Sequence, residues 1–85
     1  MNSPASPNQS LEQIFAEALD IQIDAVSDEL AYNSIPEWDS VAHMALVAAI
    51  EDHYSILLET EDVIDMSSVG RAREILAKYG ITSHG

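Results

Sequence analysis

Three apolar stripes at helical spacing constrain this chain more than any other feature. Leu11, Ile14, Phe15, Ala18 and Leu19 fall at i, i+3, i+4, i+7 and i+8, so they line one side of a helix. Val69, Ala72, Ile75, Leu76 and Tyr79 form a similar stripe near the other end. Between them a helix is expected from Ser40 to Tyr54, with Val41, Met44, Val47, Ala48 and Tyr54 as its core face. Leu46 and Ile50 widen that face, and so broad an apolar arc implies contact with more than one neighbour. No strand signal exceeds Ser55-Ile56-Leu57-Leu58. The expected fold is all-α: a small four-helix bundle of three main helices and one short helix.

Capping residues place the helix ends. Ser10-Leu11-Glu12-Gln13 fits a capping box, in which Ser10 and Gln13 satisfy each other's orphan amides. Asp39 is suited to cap the second helix. Thr60 is expected to cap a short helix over residues 61–65, where Glu61 and Asp62 in the first turn suit the helix dipole. Ser67 or Ser68 caps the last helix, and Gly80 stands where a left-handed C′ residue is wanted. From residue 20 to residue 39 the pattern breaks, and Pro36 keeps the residue before it out of a helix. That long loop between helices one and two reads as a packed Ω-type loop anchored by Ile21, Ile23, Val26, Leu30, Tyr32 and Ile35.

Composition narrows the function. Eighty-five residues make one domain, with a core too small to enclose a deep substrate cavity. Cysteine is absent, so no disulfide or thiolate metal site is available and any thiol must come from an attached group. Fifteen acids against three bases give a net charge of −12. That charge argues against nucleic acid, favours a soluble monomer, and points to partners with basic docking surfaces. The three bases, Arg71, Arg73 and Lys78, all lie in the last fifteen residues. No stretch approaches the ~20 apolar residues of a membrane span. Residues 1–9 lack the basic and apolar regions of a signal peptide and read as a disordered tail, which makes the cytoplasm the expected compartment. The domain is expected over residues 10–81, with a C-terminal tail at 82–85.

The chemistry gathers at Trp38-Asp39-Ser40-Val41, where the polar segment gives way to the apolar second helix. A serine there is either a first-turn capping residue or an exposed, rigidly presented hydroxyl able to take a covalent attachment. His43 follows three residues later on the same helix face, the spacing of a Ser-His dyad. The chain offers that dyad no evident orienting acid, oxyanion hole or shielded cleft, so no enzyme is expected. His43, His53 and His84 lack metal-ligand spacing, and no EF-hand run of acids occurs. The acid-rich loop and the acids of residues 59–65 read as solvated faces or as surfaces that meet basic partners. Met44 and Met66 read as core filler.

Trp38-Asp39-Ser40-Val41 resembles the Asp-Ser-Leu attachment motif of acyl and peptidyl carrier proteins, in the variant with a preceding tryptophan. Ile50-Glu51-Asp52-His53-Tyr54-Ser55-Ile56 is similar to the end of that family's second helix, and Glu61-Asp62-Val63 and Ser68-Val69 to its third helix and fourth-helix start. The resemblance covers about residues 10–81. It implies that Ser40 receives 4′-phosphopantetheine from coenzyme A through a phosphopantetheinyl transferase, and that the arm then carries acyl or aminoacyl cargo as a thioester. Asp39 and Val41 would flank the attachment. Trp38, His43, Met44, Glu51, Asp52, Glu61, Asp62 and Ile64 would meet the arm or partners, and Val63 and Met66 would line a folded-back chain. Acyl- or aminoacyl-activating and acyl-transferring enzymes are the implied partners. Val41 replaces the family's usual leucine, and Ala42, His43 and Ala45 stand where fatty-acid carriers usually have acids. These departures favour a specialised pathway with dedicated partners. The rival reading is an acidic helical interaction module that is never modified.

Overall fold

Ser10 starts the first helix as its spacing predicts. Its hydroxyl accepts from the Gln13 amide at 3.2 Å, and the Gln13 side chain accepts from the Ser10 amide at 3.2 Å. Helix α1 runs over Leu11–Leu19 and ends at Asp20, left-handed at φ 59°, whose amide donates to Ala16. Leu11, Ile14, Phe15, Ala16 and Leu19 are buried. The computed structural model describes residues 10–81, so the expected tails at 1–9 and 82–85, and His84, lie outside it.

Residues 20–39 hold one short 3₁₀ turn, Ile23–Ala25. The segment is laced to the chain near residue 69: Tyr32 N–H donates to Ser67 O at 2.9 Å, Val69 N–H to Leu30 O at 3.0 Å, and Gly70 N–H to Asp28 O at 3.1 Å. A Cβ at Gly70 would stand 3.2 Å from that Asp28 oxygen, so close a backbone approach suits glycine. The anchors are only partly those expected. Val26 is buried and Ile21, Leu30 and Ile35 are half-buried, but Ile23 and Tyr32 face solvent. The largest anchor is Trp38, fully buried with its ring edge-on to Phe15 at 5.3 Å.

Helix α2 spans Ser40–Tyr54, capped by Asp39, whose Oδ1 accepts from the Ala42 amide at 2.9 Å. It ends at Ser55, left-handed at φ 56°. Its inward face differs from the expected one. Leu46, Val47 and Ile50 are buried, whereas Val41 and Met44 are 77% and 60% exposed and Ala48 is exposed too. A helix apolar on nearly every side carries no periodic contrast, so packing against α1 chooses the face.

Helix α3 covers Thr60–Asp65, with Glu59 rather than Thr60 at the N-cap. The Glu59 amide donates to the Tyr79 hydroxyl at 2.9 Å, which fixes the chain one residue earlier than the side-chain chemistry suggests. Helix α4 spans Val69–Lys78; Ser68 caps it by accepting from the Arg71 amide at 3.0 Å. Gly80 takes φ 83°, the left-handed geometry expected of it. The described residues thus form a small all-α fold of four helices around Phe15, Trp38, Leu46, Ile50, Met66, Val69 and Ile75. No helix among them is long and apolar enough to cross a membrane.

Candidate functional site

Ser40 is the first residue of α2 and is exposed. Because Asp39 takes the capping position, the Ser40 hydroxyl is not needed to cap the helix. Beside it opens a groove of about 350 Å³. One wall is Ser40, His43 and Met44 of α2; the other is Val63 and Ile64 of α3 with Met66 and Ser67 beyond it, and Tyr32 closes an end. The walls carry no carboxylate. The wall residues Met44 and Ile64 are themselves exposed, and exposed Val41 extends the apolar surface outside the groove.

His43 crosses between the walls. The Trp38 indole N–H donates to Nδ1 at 3.0 Å, and Nε2 lies 2.9 Å from the Val63 carbonyl oxygen. The imidazole stacks on Trp38 with centroids 6.0 Å apart, and Tyr32 meets it edge-on at 5.3 Å. An indole nitrogen can only donate and a carbonyl oxygen can only accept. His43 is therefore bonded as the Nε2–H tautomer, with both nitrogens occupied and none left to take a proton from Ser40. The spacing that suggests a Ser-His dyad serves a different bond.

The structure divides the other expected site residues. Val41, Met44 and Ile64 stand at the surface near Ser40, and Val63 and Met66 border the groove, Met66 at only 1% exposure. Two residues expected to touch the arm or a partner do not reach the surface. Trp38 is 0% exposed and Asp62 7%. Asp62 Oδ1 accepts from Lys78 Nζ at 2.7 Å and Oδ2 from the Tyr79 hydroxyl at 2.6 Å, which ties α3 to α4. The Lys78 ammonium first, and the Tyr79 hydroxyl second, hold its carboxyl below the usual carboxylate range.

Glu51 and Asp52 belong to the far end of α2, roughly 17 Å along the axis from Ser40 at about 1.5 Å per residue. Glu51 Oε2 accepts from the Leu58 amide at 2.9 Å, and Asp52 borders a separate groove of about 370 Å³ between α1 and α2 with Glu17, His53 and several alanines. Neither forms part of the Ser40 groove. Glu61 is exposed in the first turn of α3.

Tyr32 and Ser67 are groove residues that sequence reasoning reads only as a loop anchor and a candidate cap. For Tyr32 the one signal is indirect, a loop too long to be idle; Ser67 has none. Among the described residues, no three His, Asp or Glu side chains gather as a metal ion would require. The chain matches no protein-family model, and no curated protein matches it.

Proposed function

We propose that this protein is a monomeric, cytoplasmic carrier whose Ser40 hydroxyl is the attachment point for 4′-phosphopantetheine. In this reading the four helices form a small bundle with a long loop between α1 and α2, as the resemblance to acyl and peptidyl carrier proteins implies. The observation that carries it is the combination at one place: an exposed hydroxyl, not used as the cap, on the first turn of α2 at the mouth of an apolar groove.

The residues fit such a group. The Ser40 oxygen bonds to the phosphorus of coenzyme A's pantetheine phosphate, adenosine 3′,5′-bisphosphate leaves, and a base on the transferase takes the Ser40 proton. The product is a phosphodiester, whose negative charge is favoured beside the free amides of a helix N-terminus. Asp39 opposes that field in part, since its carboxylate already accepts from one of those amides. When bound, the arm supplies the thiol that a cysteine-free chain lacks, on which acyl or aminoacyl cargo is held as a thioester. Met44, Val63 and Ile64 offer apolar contact to the arm or its cargo, backed by the buried Met66. The neutral surface after Ser40 favours dedicated acyl-activating and acyl-transferring enzymes of a specialised pathway.

Intact-mass measurement after incubation with coenzyme A, Mg²⁺ and a broad-specificity phosphopantetheinyl transferase tests the reading. One added arm in the wild type and none in Ser40→Ala is the expected result. An unchanged wild-type mass removes the proposal and leaves the second reading, an unmodified interaction module. The exposed side chains of Val41, Met44 and Ile64 are what favour that alternative.

A further inference from the structure

We infer, taking Ser40 as the attachment point argued above, that His43 is the positioning residue of this site: one imidazole latches the loop end that delivers Ser40 to the α3 wall of the groove. Two polar groups depend on it. The first is the Trp38 indole N–H, which lies on a side chain with no exposure and donates to Nδ1. A buried donor deprived of its acceptor is strongly unfavourable, so the loop end is held wherever His43 stands.

The second is the Val63 carbonyl. Helix α3 has six residues, and the last four carbonyls of any helix have no partner within it. Many helices satisfy them by a left-handed residue after the last turn, but Met66 takes φ −78° and ψ 75° and does not close the turn that way. Asp65 O accepts from the Ser67 amide at 2.8 Å. Val63 O is capped from another helix, by Nε2–H of His43. Trp38 and Tyr32 fix the plane of the ring that makes both bonds.

Trp38 lies two residues before Ser40, and Val63 lies across the groove. Without His43 the first turn of α2 keeps its Asp39 cap, so Ser40 stays at a helix end. What is lost is the fixed relation between that end and the opposite wall, which a transferase or acyl-handling enzyme must meet as one surface. His43 touches no reacting atom; it acts through Trp38 and Val63.

Three substitutions separate the two bonds. His43→Asn retains an acceptor near the Nδ1 position and loses the bond to Val63; His43→Gln retains a donor reaching toward Val63 and loses the bond to Trp38; His43→Leu loses both. For modification by a broad-specificity transferase, the expected result is a KM raised about tenfold in His43→Leu with kcat within twofold of wild type, and a smaller rise in the other two. Amide hydrogen exchange over residues 63–67 is expected to speed about tenfold in His43→Leu and His43→Asn, to be largely restored in His43→Gln, and to stay unchanged in α4. A general loss of stability would instead speed exchange in α4 as well, with no rescue by Gln. Wild-type KM in all three variants, or exchange over residues 63–67 that ignores which bond is retained, overturns the inference. If His43→Leu does not fold, the Asn and Gln pair still decides it. If the wild type itself takes no arm, the carrier reading falls, and the exchange pattern alone decides whether His43 is the latch.

Discussion

Asp62 carries a charge that the fold buries, held at 2.7 Å from the Lys78 ammonium and 2.6 Å from the Tyr79 hydroxyl. In the sequence it reads as an exposed acid in a first turn, because the local pattern does not reveal that α4 brings Lys78 and Tyr79 against it. Its folded-state pKa is depressed, so its contribution to stability is fully present above the unfolded value of about 4. That contribution is lost as pH falls from there through the lower folded-state pKa. Asp62→Asn is therefore expected to lower the urea midpoint at pH 7, and the gap from wild type should narrow steadily between pH 5 and pH 2. A gap of equal size at both ends of that range would mean that shape, rather than charge, holds the residue in place. Trp38 offers a second case at this scale. Trp38→Phe removes the indole donor and leaves both a void and an unpaired His43 nitrogen, so a loss of about 1–3 kcal/mol in denaturant unfolding is expected.

Helix α2 shows which parts of an element are legible in its sequence and which are settled by packing. Its two ends follow from chemistry local to the chain: Asp39 caps the start, and Glu51 O receives both the Ser55 amide and the Ile56 amide where the helix turns left-handed. Its face does not follow, because apolar residues surround it and packing, chiefly against α1, distinguishes inside from outside. Helices α1 and α4 are amphipathic, and there the expected stripes and the buried residues largely coincide. The same rule governs the groove. Ser40 is legible because a helix mouth is a local feature, whereas Tyr32 and the bond from His43 to Val63 join residues eight to twenty positions apart and leave no periodic trace. The face itself can be tested. Leu46 is fully buried, so Leu46→Ala is expected to cost about 2–5 kcal/mol. Val41→Ala and Met44→Ala, at exposed sites, should each stay within about 0.5 kcal/mol of wild type. Urea unfolding of the three variants checks this; equal losses at Leu46 and Val41 would return α2 to the face its spacing suggests.

At the scale of the whole molecule, charge is the dominant property, and the ion pairs sharpen it. Each of the three bases is tied to acids of the same chain: Arg71 to Asp65 and Glu74, Arg73 to Glu12 and Asp28, and Lys78 to Asp62. With its cations engaged internally, the molecule presents a net −12 to a partner. The exposed Arg71 pairs each contribute only about 0–1 kcal/mol, and these five pairs offset little of a net −12, so salt should relieve self-repulsion more than it weakens them. The melting temperature is therefore expected to rise as NaCl increases from 20 to about 500 mM, where the screening length falls well below ~10 Å. Partner binding should respond in the opposite direction, and through one rate only. The acids lie around and beyond the groove, while residues 40–50 of α2 carry no carboxylate and expose Val41 and Met44. If the proposed function holds, long-range attraction to a basic transferase governs the encounter, and apolar contact governs how long the complex lasts. Under the proposed function Ser40→Ala docks but cannot be modified, which allows both rates to be read by stopped-flow fluorescence. Its association rate is expected to fall about tenfold or more over that salt range, with a dissociation rate changed by less than about twofold. A dissociation rate that rises with salt while association stays constant would place ionic contacts inside the docked interface, contrary to the carboxylate-free stretch of α2 that follows Ser40.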